Sequence, residues 1–309
     1  MGILCCKKDG VTSNAIEDPS NPNNPKPIVP TEREIAIPKY ESSHDKAFSK
    51  LETTYNLLRE ISFEDFAYSL SIFSTENATL VDDYAKKPQT YAKADAFFKE
   101  SLSLELFQSF IENKLYKHPQ LYTTAGSNET LASTCKDCLL EIHKNLGKKM
   151  KQSDKEKGLP EDPERVKKCH LLALGLLYCT GSNVAKARIF FNLFKEGDKM
   201  TSSEELKDFL LALFLIPAYC LLYVRYKFAK NPDIGEFTKE EMQTVLNTCE
   251  LKDSMHLVDV TIDTMFKGNE SGIDYETFKT KLQLQEKENG LGYLFSAKGV
   301  RKLLEANNV

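Results

Sequence analysis

LLALGLLYCTGSNVAKARIFFNLF, residues 171–194, runs directly into KEGDKMTSSEEL at 195–206, and this stretch decides how the chain folds. Apolar residues fill the first part up to Cys179, Gly181-Ser182 makes a short link, and a second apolar-patterned segment ends at Leu193-Phe194. The spacing predicts helices over about 163–179, 183–194 and 203–228, with a polar loop after Phe194. Downstream the same pattern predicts helices over about 238–250, 254–266, 274–287 and 296–306. Upstream, His44 to Glu60 carries Phe48, Leu51, Tyr55 and Leu58 along one helical face. Ser62 opens Ser-Phe-Glu-Asp, the start of a helix through Phe73 with its own cap. Lys93 to Tyr116 reads as one longer amphipathic helix bearing Phe97, Leu104, Phe107 and Ile111, and Glu129 to Leu146 as another. The Lys- and Glu-rich segment 147–163, which contains Leu159-Pro160 and Asp162-Pro163, is the expected boundary between two helical regions, 41–150 and 160–309.

The arrangement of an apolar helix, a Gly-Ser link, a helix ending Leu-Phe and then KEGDKMTSSEEL resembles the EF-hand calcium-sensor superfamily. FTKEEM at 237–242 resembles the start of a helix leaving such a loop, and FKGNESGIDYETF at 266–278 resembles a final EF-hand. The resemblance implies an all-α fold of EF-hand-like paired helix–loop–helix units, with an additional N-terminal helical region. It leaves room for strands only over the two or three residues where paired loops meet. In that superfamily a loop of about 12 residues supplies side-chain oxygens early, a Gly at the sharp turn and a bidentate Glu at the end. Counting from Lys267 puts Asn269 and Ser271 at early ligand positions and Gly272 at the turn, but Phe278 at the end. Counting from Ile273 as the central apolar residue puts Thr277 at the end and Phe266 at the start. Neither register has both an opening Asp and a closing Glu. Asn269, Ser271 and Glu276 remain as donors for weak calcium coordination at most. The loop from Lys195 is shorter, with Glu196 and Asp198 as its early acids. A hard divalent cation needs several anionic oxygens on one centre, so no resident cofactor is expected. The resemblance further implies that such eroded pairs hold a partner helix without a metal switch.

The N-terminal sequence MGILCCKK resembles the dual-acylation heads of Src-type kinases and G-protein α subunits. It implies myristate on Gly2 and palmitate on Cys5 and Cys6, although Cys6 stands where Ser or Thr is preferred. One myristoyl chain binds a bilayer only marginally, and palmitate or basic residues such as Lys7 and Lys8 supply the second signal. The proline-dense remainder of residues 1–40 reads as a disordered tether. In overall plan the chain also resembles the N-terminal half of TLDc-domain proteins, without the sheet that follows there.

Net charge is −4 over 309 residues, with 41% apolar and 28% charged residues, so no basic surface argues for nucleic acid. The eight cysteines are scattered in apolar helical patterns and read as reduced thiols of a cytosolic compartment, Cys179 and Cys220 as core residues. Cys135 and Cys138 form a CxxC without a preceding strand or a second ligand pair, which favours packing over zinc or redox chemistry. His44, His118, His143, His170 and His256 are dispersed, and no GxSxG, HExxH, P-loop or GxGxxG occurs, so an enzyme is not expected. The uncharged run 209–224 is shorter than the ~20 residues of a spanning helix and is read as buried and kinked at Pro217. Phe209, Phe214, Leu215 and Tyr219 are its candidate lining for a partner groove. The expected function is a non-catalytic, membrane-anchored EF-hand-like adaptor. It would bind a protein partner at the cytoplasmic face of a plasma or ciliary membrane. The alternatives are a structural component of a ciliary or cytoskeletal assembly, or a genuine calcium sensor.

Overall fold

The computed structural model describes residues 57–73, 97, 100–115, most of 136–150, 165–228, 251–269, 271–283 and 291–307. For residues 218–228 and 251–253 the description is of the helical backbone. All of these residues belong to one compact unit, Arg33–Val309. The acylation head, the tether and the helix expected over 238–250 lie outside the described residues.

The described part is mostly helical. After a 3-10 turn at Leu57–Glu60 come α1 (Phe63–Ile72), β1 (Ser101–Ser103) and α2 (Leu104–Phe110), which continues into a π turn at Ile111–Leu115. Then follow β2 (Arg165–Lys167), α3 (Lys168–Tyr178), α4 (Asn183–Phe194), β3 (Lys195–Glu196), β4 (Lys199–Met200) and α5 (Glu204–Phe228). α6 (Leu251–Phe266), α7 (Tyr275–Gln283), a 3-10 turn at Leu291–Phe295 and α8 (Ala297–Ala306) complete the order.

Caps written in the sequence set the helix starts. Ser62 Oγ accepts from Asp65 N, Ser182 Oγ from Ala185 N and Ser203 Oγ from Leu206 N, each satisfying a donor that the helix itself leaves open. The long helix expected over Lys93–Tyr116 is corrected, and so is the start of the helix expected over about 163–179, where Arg165–Lys167 is strand and the helix begins at Lys168. Residues 101–103 are a strand pairing antiparallel with β2, with Leu102 opposite Val166, and α2 begins only after Ser103 caps it through Leu106 N. A strand of three residues is too short to show a period of two. Ser103 carries the stop signal that the apolar spacing hid.

One hydrophobic core serves both helical regions. The Phe110 ring of α2 meets Phe66 and Phe73 from α1 and the segment after it and stacks on Phe107, while Phe190 and Phe209 occupy the same core further along the chain. Gly175 in α3 lies against the face of Phe66, where a Cβ would overlap the ring. The ends of α1 and α3 are laced by Thr180 N to Ile61 O and Phe63 N to Thr180 O, both 2.9 Å. Lys168 is fully buried at the start of α3, and its Nζ donates to the carbonyls of Ser71 and Phe73 and pairs with Glu100. α5 runs as one helix through Pro217, and its residues from Phe209 to Ile216 are buried.

Candidate functional site

α4–loop–α5 and α6–loop–α7 form two helix–loop–helix units, joined at their loops. Met200 N donates to Ile273 O at 2.8 Å and Ile273 N to Met200 O at 2.9 Å, an isolated antiparallel bridge. The first loop is a tight hairpin in which Lys195 faces Met200 and Glu196 faces Lys199. Gly197 sits at φ +62° at the turn, as primed hairpin turns require. In the second loop Gly272 has φ +95°, and a Cβ there would stand 2.8 Å from Met200 O. Two apolar side chains, Met200 and Ile273, are thereby buried beneath the paired loops. Ile273 is thus the apolar residue of the second loop that pairs with the first.

Two carboxylates of the second loop and the helix after it are engaged within the chain. Asp274 Oδ1 accepts from Thr277 N at 2.7 Å and caps α7, and that bond holds its carboxyl below the usual carboxylate range. Asn269 Nδ2 donates to Lys267 O at 3.2 Å, and Asn269 N to Phe266 O at 2.7 Å. Ser271 is exposed, and Glu276 is exposed and paired with Lys279 at 3.5 Å on the outer face of α7. Of the three expected donors, Asn269 thus turns its Nδ2 to its own loop, Ser271 stands exposed and Glu276 is engaged with Lys279. Lys281, which sequence reasoning missed, reaches back from α7, and its Nζ donates to Met265 O and Lys267 O, each at 3.0 Å. Burial and the neighbouring Lys267 push its pKa down. Among the described residues, no group of three or more His, Cys, Asp or Glu is placed to hold a metal ion.

The proposed groove residues are corrected in one respect. Phe209, Phe214 and Leu215 have no exposed surface, so they line no open groove; the side chain of Tyr219 lies outside the description. The reason is that the chain fills the space itself. Phe190 of α4 is a hub. It stacks on Phe278 of α7 at 5.6 Å, and meets Phe209 of α5 edge-on at 5.7 Å and Phe295 of the C-terminal 3-10 turn edge-on at 5.9 Å. α8 lies against α5, and the turn before it touches α3, α4, α6 and α7. Lys186 fastens this segment from below. Its Nζ donates to Leu176 O at 2.6 Å and Phe295 O at 3.1 Å, and burial lowers its pKa to about 8. Thr180, whose N–H would ordinarily reach back to Leu176, donates instead to Ile61, which leaves the Leu176 carbonyl for the ammonium. In the sequence Lys186 reads as an ordinary surface lysine of an amphipathic helix; nothing local marks it as buried.

Cys169 and Cys179 are buried free thiols, and burial raises both pKa values, Cys169 to about 12, so neither is poised as a nucleophile. His143 is buried beside Phe107, with ring centroids 4.8 Å apart, and bonds Leu102 O through Nε2. Burial brings its pKa down to about 4. Among the described residues no helix is long and apolar enough to cross a membrane. Gly2, Cys5, Cys6, Cys135 and Cys138 lie outside the described residues. In comparisons with protein-family models, curated proteins and solved structures, nothing matches this chain.

Proposed function

We propose that the protein is a non-catalytic adaptor: a degenerate EF-hand-like pair that binds a protein partner without calcium and is held to a membrane by lipid on Gly2, Cys5 and Cys6. The Met200–Ile273 bridge carries the reading. A reciprocal two-bond link between the loops of adjacent helix–loop–helix units supports an EF-hand-like pairing. The chemistry around that bridge supports operation without metal. Thr277 occupies the place where a bidentate Glu is required, Asp274 is engaged as a cap, and the Lys281 ammonium rests on the carbonyls that open the second loop. A fixed positive charge at the loop opposes a second cation there. A paired scaffold that keeps its apolar interior and dispenses with the ion is suited to holding a helix. The lipid anchor rests on the sequence MGILCCKK and on the two-signal logic of membrane residence.

Isothermal titration of the full chain with calcium tests the first half, and micromolar binding would refute it. Metabolic labelling with an alkyne-myristate analogue tests the second. Label is expected on the wild type and none on Gly2→Ala, with the variant released from membranes without detergent. An unlabelled wild type ends the anchor reading. Retention of both proteins in a detergent-resistant skeleton would favour a structural component of a cytoskeletal assembly.

A further inference from the structure

The last segment of the chain is built as a unit of its own. Ser296 Oγ accepts from Gly299 N at 3.0 Å and Ser296 O from Val300 N at 2.9 Å, which caps α8. Gly299 has no Cβ to collide with Tyr293 O, so α8 folds back on the turn before it. The segment thus carries its own cap and its own internal contact. It is joined to α7 through Glu286-Lys287-Glu288-Asn289-Gly290, a polar run. It presents Leu291, Leu294, Phe295, Val300, Leu303 and Leu304 to the core as one apolar face.

The cup that receives it is also held together by contacts of its own. The two helix–loop–helix units are joined by the Met200–Ile273 bridge, by Phe190 against Phe278 and by α5 against α6, and none of these passes through residues 291–306. Two cations are buried at this contact, Lys186 on α4 and Arg301 on α8 itself. The Lys186 tie goes to a backbone carbonyl, Phe295 O, so another helix entering the cup could satisfy the ammonium with a carbonyl of its own. An empty cup would expose the Phe190 and Phe278 rings to water, so departure of the segment requires a replacement of the same chemistry.

We propose that residues 291–306 are the resident occupant of the partner site, and that the partner is an amphipathic helix of another protein that displaces them. The resident segment specifies the ligand: an aromatic residue beside the Phe190 ring, a carbonyl for Lys186, then apolar residues at spacings of three and four along a helix. The proposal rests on the adaptor reading and adds where the partner binds and what it resembles.

The test uses the full chain and, as probe, a fluorescein-labelled synthetic peptide with the sequence of residues 289–309. In the wild type, amides of 291–306 should exchange with deuterium at least tenfold faster than those of 206–216. The peptide should bind weakly, and Phe295→Ala in the chain should tighten its binding at least tenfold. Equal exchange in the two segments overturns the proposal, and this measurement needs no variant to fold. Binding that Phe295→Ala leaves unchanged overturns it as well. Exchange of the segment between two copies, seen as a dimer in which 291–306 is again protected, replaces the foreign helix with a second copy and also overturns it. The two readings fail separately. Micromolar calcium binding removes the metal-free reading and leaves the displaced segment standing. A segment that never opens, in a chain whose partner docks elsewhere, does the reverse.

Discussion

Gly272 is the residue on which the pairing of the two loops turns, and Gly272→Ala is the sharpest perturbation of it. The backbone there has φ +95°, where an L side chain is strained by ~1–2 kcal/mol. The new Cβ would fall 2.8 Å from Met200 O, the acceptor for Ile273 N, and 3.0 Å from Thr201 Cγ2. Relief requires the two loops to separate, which weakens two hydrogen bonds worth ~1 kcal/mol each. The total expected loss is about 2–4 kcal/mol. Gly268→Ala is the control. Gly268 has φ +75°, and a Cβ added there would meet nothing within 4 Å, so only the backbone strain of ~1–2 kcal/mol applies. Urea unfolding of both variants, read with hydrogen exchange at the Met200 and Ile273 amides, separates the terms. Gly272→Ala should lose about 1–2 kcal/mol more than Gly268→Ala and lose protection at both amides. Equal losses, with Met200 and Ile273 still protected, would refute the claim that this bridge joins the units.

Other consequences follow from buried groups. His143 is held near pKa 4 by burial, against 6.5 when free, so between those values the unfolded chain binds the extra proton. The His143 contribution to stability should be constant above about pH 6.5 and fall by up to ~3 kcal/mol toward pH 4, and His143→Gln should flatten that part of the urea-midpoint profile. Gly175→Ala should cost ~1–3 kcal/mol by driving a Cβ into the Phe66 ring, and Phe66→Leu in the same chain should recover part of it; additive losses in thermal unfolding would count against this contact. Lys168→Met removes the donor shared by the Ser71 and Phe73 carbonyls and should lower the urea-unfolding free energy by ~1–3 kcal/mol, with an unchanged midpoint speaking against the buried tie.

Local chemistry was legible without coordinates. The helix starts at Ser62 and Asn183, the polar turn after Phe194, the burial of Phe209 to Ile216 and the central apolar role open to Ile273 follow from side-chain spacing and hydroxyl caps, which act within a few residues. The strand at 101–103 was not legible, because its partner at 165–167 is 64 residues away and three residues carry no periodicity of their own. The fate of the loop oxygens was not legible either. Around Asn269, Ser271 and Glu276 the bridge to Met200, the Asp274 cap and the reach of Lys281 shape the loop, and each is made with a residue that the local pattern does not single out. Lys186 and Phe295 meet across 109 residues. The sequence by itself determined that the described part is mostly helical, where hydroxyl-capped helices such as those after Ser62 and Ser182 begin, and which faces are apolar, since those depend on neighbours along the chain. Only the tertiary structure decided which apolar face covers which, and therefore that the space read as a partner groove is filled by the chain's own C-terminal segment; that outcome depends on long-range packing, which no local pattern records.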